Sequence, residues 1–138
     1  MGLRFLWWCP LLIALVLSGC DQNFYLVSGD SLKTPGVLTI HAIPPYDMTV
    51  FAHGEDFTGQ WTSTIVDETD TLRKRYGFAS KAYQRYVSGL GDHYLRHGHA
   101  SLHGAKGNTM ECDFDYRSQS NGTGACFDSN GEKYQMTL

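Results

Sequence analysis

From Val37 onward the chain alternates apolar and polar side chains in short runs, the two-residue period of half-buried strands. Over Val37 to Ile43, Leu38 and Ile40 stand against Thr39 and His41, Pro44-Pro45 interrupts the run, and the alternation resumes from Met48 to His53. Phe57, Trp61 and Ile65 mark the inward face of the next run, with threonines and a glutamine outward. The clearest strand runs from Thr109 to Arg117. Met110, Cys112, Phe114 and Tyr116 fall on one face of it, and Glu111, Asp113, Asp115 and Arg117 on the other. Ser118 to Gly122 reads as a polar turn. Thr123 to Asp128 can then return antiparallel, with Cys126 opposite Cys112 and Gly124 opposite Phe114. Asn130-Gly131 signals a tight hairpin before the alternation of Tyr134, Met136 and Leu138.

Between these strand regions the period changes. Leu72, Tyr76, Ala79, Tyr83, Tyr86 and Leu90 step by fours and threes, the spacing of one helix face, while Arg73, Lys74, Lys81 and Arg85 fall largely off it. Asp70 or Thr71 can cap the start, and Gly89 and Gly91 can stop the helix. Gly77 costs about 1 kcal/mol relative to alanine, so a broken helix is an open alternative. The expected fold is mainly β, a small antiparallel sandwich or barrel of six to eight strands with one helical insertion over residues 70–90. A single domain over 36–138 carries it, and polar residues 20–35 read as a tether. The sequence holds no internal repeat.

Composition narrows the function more by exclusion than by indication. A chain of 138 residues with 18% charged and 13% aromatic residues suits one globular domain and is unlike a disordered one. A formal net charge of −3 lacks the basic footprint of nucleic-acid binding, so no nucleic-acid partner is expected.

The start of the chain gives an address. After Arg4, the run from Phe5 to Leu17 is 13 apolar residues, the length of a secretory signal core and too short to span a bilayer comfortably. Leu17-Ser18-Gly19-Cys20 closes it and resembles the lipobox of bacterial lipoproteins. That resemblance implies a signal peptide over 1–19, acylation of Cys20 with palmitate-type chains, and a periplasm-facing protein in the cell envelope. Two or three acyl chains bind a bilayer almost permanently, because each buried methylene contributes about 0.8 kcal/mol. By the same resemblance Asp21 favours the inner membrane. The bare alternative is an ordinary signal peptide whose Cys20 keeps its thiol.

With Cys9 in the signal and Cys20 lipidated, Cys112 and Cys126 remain in an oxidising compartment, and the hairpin alternation lets their sulfurs meet. A structural disulfide follows. The spacing is wrong for a Cys-x-x-Cys redox pair. The last third, with its Met110-x-Cys112 strand, Gly122-x-Gly124-x-Cys126 return and Gly131-x-x-Tyr134 ending, resembles small exported bacterial proteins of unassigned function. That likeness implies a fold and lends no activity.

Candidate chemistry is sparse. His93, His97, His99 and His103 lie within eleven residues. On a strand His97, His99, Ser101 and His103 share a face, and a His97-x-His99 pair could chelate zinc or copper with a carboxylate such as Asp92. The competing reading is a solvated polar face. Tyr76, Tyr83, Tyr86 and Tyr94 could contact an envelope protein or glycan. The basic residues of the insertion could touch anionic headgroups or could simply be solvated. Glu55-Asp56 and Asp67-Glu68 sit beside turns and read as loop-solvating pairs. No nucleophile motif or phosphate-cradling loop is present, so no enzyme is expected. The sequence therefore favours a membrane-anchored, non-catalytic binding module. A metal-binding protein is the alternative, and fold-level analogy adds an inhibitor of lysozyme-type hydrolases.

Overall fold

The computed structural model describes residues 19–89, 94–118 and 121–138. Among them the strands are β1 (Cys20–Val27), β2 (Lys33–Ile40), β3 (Tyr46–Ala52), β4 (Glu55–Ile65), β5 (Arg96–Gly104), β6 (Thr109–Ser118), β7 (Asn121–Asp128) and β8 (Lys133–Thr137). Each pairs antiparallel with its neighbour in sequence, and β8 pairs back onto β1 to close a barrel. Closure removes most of the exposed edge that an open sheet of this size would leave. The expected class is thus realised as the barrel, with two helices, α1 (Thr69–Tyr76) and α2 (Lys81–Val87), inserted between β4 and β5.

The tether expected over 20–35 is instead a strand, a turn and the start of a second strand. Phe24 and Leu26 are fully buried, and the polar run Asp21-Gln22-Asn23 pairs with β2 through Thr39, Leu38 and Val37. Closure against β8 uses only Tyr25, Leu26 and Val27, so the first half of β1 continues past the end of β8 while paired to β2 alone.

Alternate residues of every strand point inward and fill the barrel. Trp61 anchors the core: its ring lies 4.8 Å from that of Tyr46 and 5.5 Å from that of Phe114, and its indole N–H donates to the Asp47 carbonyl at 3.1 Å. Phe57 and Trp61 face inward as expected, whereas Ile65, at the end of β4, reaches the rim and is exposed. Cys112 and Cys126 are directly opposed, fully buried and disulfide-bonded, with Cα atoms 4.0 Å apart. Gly124 lies opposite Phe114 as the alternation required, and Gly98 flanks Phe114 on the other side.

Glu55 contradicts the loop-solvating reading. It is buried, accepts from the Lys106 amide at 2.7 Å, and also accepts from the Asn108 side chain. Both donors come from the β5–β6 turn. Tyr134 is also buried, and its hydroxyl donates to Asp128 Oδ2 at 3.2 Å. Burial and the two nearby carboxylates push that hydroxyl's pKa well above its ordinary value, so it remains a donor.

The insertion is broken in the middle, where Gly77 adopts φ 76° between the helices. Asp67 rather than Asp70 or Thr71 satisfies the start of α1, accepting from both the amide and the hydroxyl of Thr69. Ser80 caps α2 by accepting from the Tyr83 amide at 3.1 Å. The helix face predicted from periodicity is not a buried face: α1 buries no residue and α2 buries only Tyr86.

Candidate functional site

In an up-and-down barrel, odd strands begin and even strands end at the same rim. Cys20 begins β1, and the insertion joins the end of β4 to the start of β5. Cys20 and the insertion therefore share one rim with the β2–β3 loop and the β6–β7 turn. Cys20 is exposed there, and so are Ile43, Ile65, Tyr76, Phe78 and Val87. Arg73, Lys74, Arg75, Lys81 and Arg85 lie on the same insertion. Arg73 stands over the Phe78 ring and Arg75 over the Tyr76 ring, at 5.5 and 5.4 Å. Basic groups are thus interleaved with exposed aromatics on a surface that the barrel does not cover.

Arg117 ties this surface to the barrel, and Tyr86 with Tyr94 ties its two ends together. Arg117, near the end of β6, donates through both terminal nitrogens to the Glu68 carboxylate at 2.7 and 2.8 Å. The pair holds the Glu68 carboxyl below its usual value and the guanidinium above its own. Tyr86 accepts from the Glu68 amide at 2.8 Å and donates to the Val66 carbonyl at 3.4 Å. Its ring meets that of Tyr94 at 5.0 Å, and the Tyr94 hydroxyl donates back to the Tyr86 carbonyl.

The four tyrosines consequently do not form a common patch. Tyr86 is only 6% exposed and Tyr94 is half-buried, because both join the two ends of the insertion. Tyr83 is half-buried, with its ring 5.5 Å from that of Phe78, and Tyr76 alone of the four is well exposed.

His97, His99, Ser101 and His103 do share the outer face of β5. The register sets His97 opposite Asp115, His99 opposite Asp113 and Ser101 opposite Glu111. His97 Nδ1 lies 2.8 Å from Asp115, His99 Nδ1 lies 2.8 Å from Asp113, and Ser101 donates to Glu111 at 2.6 Å. The bond to Asp115 raises the His97 pKa above its ordinary value, against a smaller opposing effect of burial. The row is a ladder of cross-strand pairs. Asp113 Oδ1 links its rungs, lying 2.8 Å from His99 and 3.4 Å from His97. Asp92 and His93, proposed from sequence beside the pair, lie outside the described residues. The carboxylates that do face the imidazoles were visible in the sequence as the outward side of the Thr109–Arg117 alternation; what was missing was the β5–β6 register.

The outer faces of β1 to β4 form an open groove of about 660 Å³. Exposed Tyr25 and Phe51 line it, with Asn23, Asp56 and Thr58. No helix among the described residues is long and apolar enough to cross a membrane. Comparison with protein-family models, with curated proteins and with solved structures gave no match for this chain.

Proposed function

We propose that the protein is a lipoprotein anchored in the inner membrane through acylated Cys20, facing the periplasm and working as a non-catalytic binding module. Its partner is an envelope protein or a glycan. The observation that carries the reading is the common rim of Cys20 and the insertion. A lipid on Cys20 would bring Arg73, Lys74, Arg75, Lys81 and Arg85 up to the bilayer, where each basic residue near an anionic surface contributes about 1 kcal/mol. Tyr76, Phe78 and Val87, left exposed by the barrel, are suited to the interface between headgroup and acyl chain. Away from the bilayer, the Tyr25–Phe51 groove offers aromatic faces beside amide, hydroxyl and carboxylate groups, the chemistry that sugar rings use.

Metabolic labelling with palmitate tests the anchor. Wild type should be labelled and membrane-bound, and Cys20→Ala unlabelled and released. An unlabelled wild-type protein overturns the lipoprotein reading, and enrichment in the outer membrane overturns the inner-membrane assignment. Retention on immobilised peptidoglycan fragments, lost in Tyr25→Ala and Phe51→Ala, is the result expected for a glycan partner.

A chelating pair at His97 and His99 remains the second reading, favoured by the Asp113 oxygen that both imidazoles approach. A zinc or copper ion bound by the wild-type protein and lost in both His97→Ala and His99→Ala would support it.

A further inference from the structure

The rim opposite Cys20 is built from the β1–β2, β3–β4, β5–β6 and β7–β8 turns. His53 from the β3–β4 turn and Asp128 and Glu132 from the β7–β8 turn converge there. Their donor atoms all lie within 4.8 Å of one another, the one such group of three among the described residues. We propose that His53, Asp128 and Glu132 bind a divalent transition ion of the zinc class, a site separate from the His97/His99 row and independent of how the protein is anchored.

The donor set suits such an ion. A neutral imidazole with two carboxylates carries a formal charge of −2, which one dication balances. Nitrogen and carboxylate oxygen are both good ligands for zinc. His53 Nε2 lies 2.6 Å from Glu132 Oε2 and 3.8 Å from Asp128 Oδ2. Zinc bonds of about 2.0–2.2 Å at tetrahedral angles need donor spacings of about 3.4 Å, so the first gap must open and the second close by less than about 1 Å each. Glu132, with a side chain 37% exposed, has room to make that movement.

Asp128 is already held as a ligand would be. Its Oδ1 accepts from the amides of Asn130 and Glu132, both at 2.9 Å, and Tyr134 donates to Oδ2. These bonds fix the carboxylate plane, the task of outer-shell partners in metal sites. Its side chain is 1% exposed, so the charge is desolvated and an adjacent cation offsets that cost.

A tight turn presents His53 to the cluster. His53 occupies the first position of the two-residue β3–β4 turn at φ 50°, followed by Gly54 at φ 70°. Such a turn favours Asn-Gly, since both central residues need positive φ. From that position the His53 ring reaches Glu132 and Asp128 across the rim. On its other side His53 lines an open cavity of about 390 Å³ together with Ser28, Asp30, Leu32 and Tyr134.

Calorimetric titration of the full-length protein in detergent with zinc chloride tests the site. One ion per chain is expected, bound at micromolar concentration or tighter. His53→Asn, which suits the turn, and Glu132→Gln should each weaken binding at least tenfold. The His97→Asn/His99→Asn double variant should leave this site unchanged. Zinc should also raise the melting temperature of wild type and not that of His53→Asn, with both proteins giving the same circular dichroism spectrum. Binding only at millimolar zinc, or binding that His53→Asn and Glu132→Gln leave intact, overturns the proposal.

Discussion

Phe114 occupies its place because residues on both sides of it have no side chain. A Cβ added at Gly98 would lie 2.4 Å from the Phe114 ring, and one at Gly124 would lie 2.3 Å from the Asp113 carbonyl oxygen. Neither neighbour is the tip of a flexible chain, so Gly98→Ala or Gly124→Ala should cost about 1–3 kcal/mol by overpacking, read as a lowered thermal midpoint. The Gly124–Phe114 pair was legible from the alternation and the cysteine register. Glu55 was not, although it stands in phase with Phe57 and Trp61, because a charged residue at a turn is ordinarily solvated. Its donors come from a turn 51 and 53 residues further along the chain, which no local pattern reveals. His97 gives a residue-level test in solution. Its folded pKa is raised by Asp115, so its contribution to stability is complete below the unfolded value and is lost as pH rises through the folded one. The side chain is 44% exposed, so solvent screens the pair and the effect on stability is at most a few tenths of a kcal/mol, but the titration is readable. Proton NMR should give a His97 midpoint above the ordinary value of about 6.5, and Asp115→Asn should return it toward that value.

At the level of elements, the strands from Val37 onward were legible because buried and exposed residues alternate through them. The first strand was not, since Asp21-Gln22-Asn23 belongs to the length of β1 that overhangs β8 and carries no apolar signal until Phe24. The insertion was legible as helical, yet its periodicity misled about burial: among the described residues of the apolar stripe only Tyr86 is buried, and Leu90 lies outside them. The Arg117–Glu68 pair and Tyr86 are among the links that attach it. Glu68 has a depressed pKa because Arg117 bonds its carboxylate. Its contribution is thus present above the unfolded value of about 4.3 and lost as pH falls through the lower folded value. With Arg117 half-exposed the pair contributes at most about 1 kcal/mol, enough to govern local opening without governing the barrel. Hydrogen exchange across α1 and α2 should accelerate in Arg117→Gln and in Tyr86→Ala while β5 to β7 stay protected. Trypsin should cut first near Arg73, Lys74 and Arg75. Equal acceleration throughout the molecule would show that the insertion and barrel unfold as one unit.

For the molecule as a whole, the disulfide and the polarity of the two rims determine what the barrel can do. The Cys112–Cys126 bond closes a loop with a sequence separation of 14, a constraint of about 3 kcal/mol in the chain-entropy model. Cys112→Ser should lower the melting temperature by several degrees. Alkylation under denaturing conditions should find neither thiol free before reduction. Polarity follows from strand alternation alone. Everything basic and aromatic on the insertion shares the rim of Cys20, while His53, Asp128 and Glu132 lie on the other. A strand of eight residues at about 3.4 Å per residue, tilted by about 40° as barrel strands are, separates the rims by roughly 20 Å. An anchored barrel standing on its insertion would then present the histidine–carboxylate site to the periplasm, beyond the headgroups. Nitroxide-bearing lipids in nanodiscs measure this directly, because paramagnetic broadening falls steeply with distance. Amide signals of Tyr76, Phe78 and Val87 should broaden, and those of His53, Gly54 and Gly131 should remain sharp. Neutralising Arg73, Lys74 and Arg75 together should let the barrel tumble on its tether and spread the broadening over both rims. Sharp signals at Phe78 and Val87 in the wild-type protein would mean that the insertion faces away from the bilayer and that its exposed aromatics serve another partner.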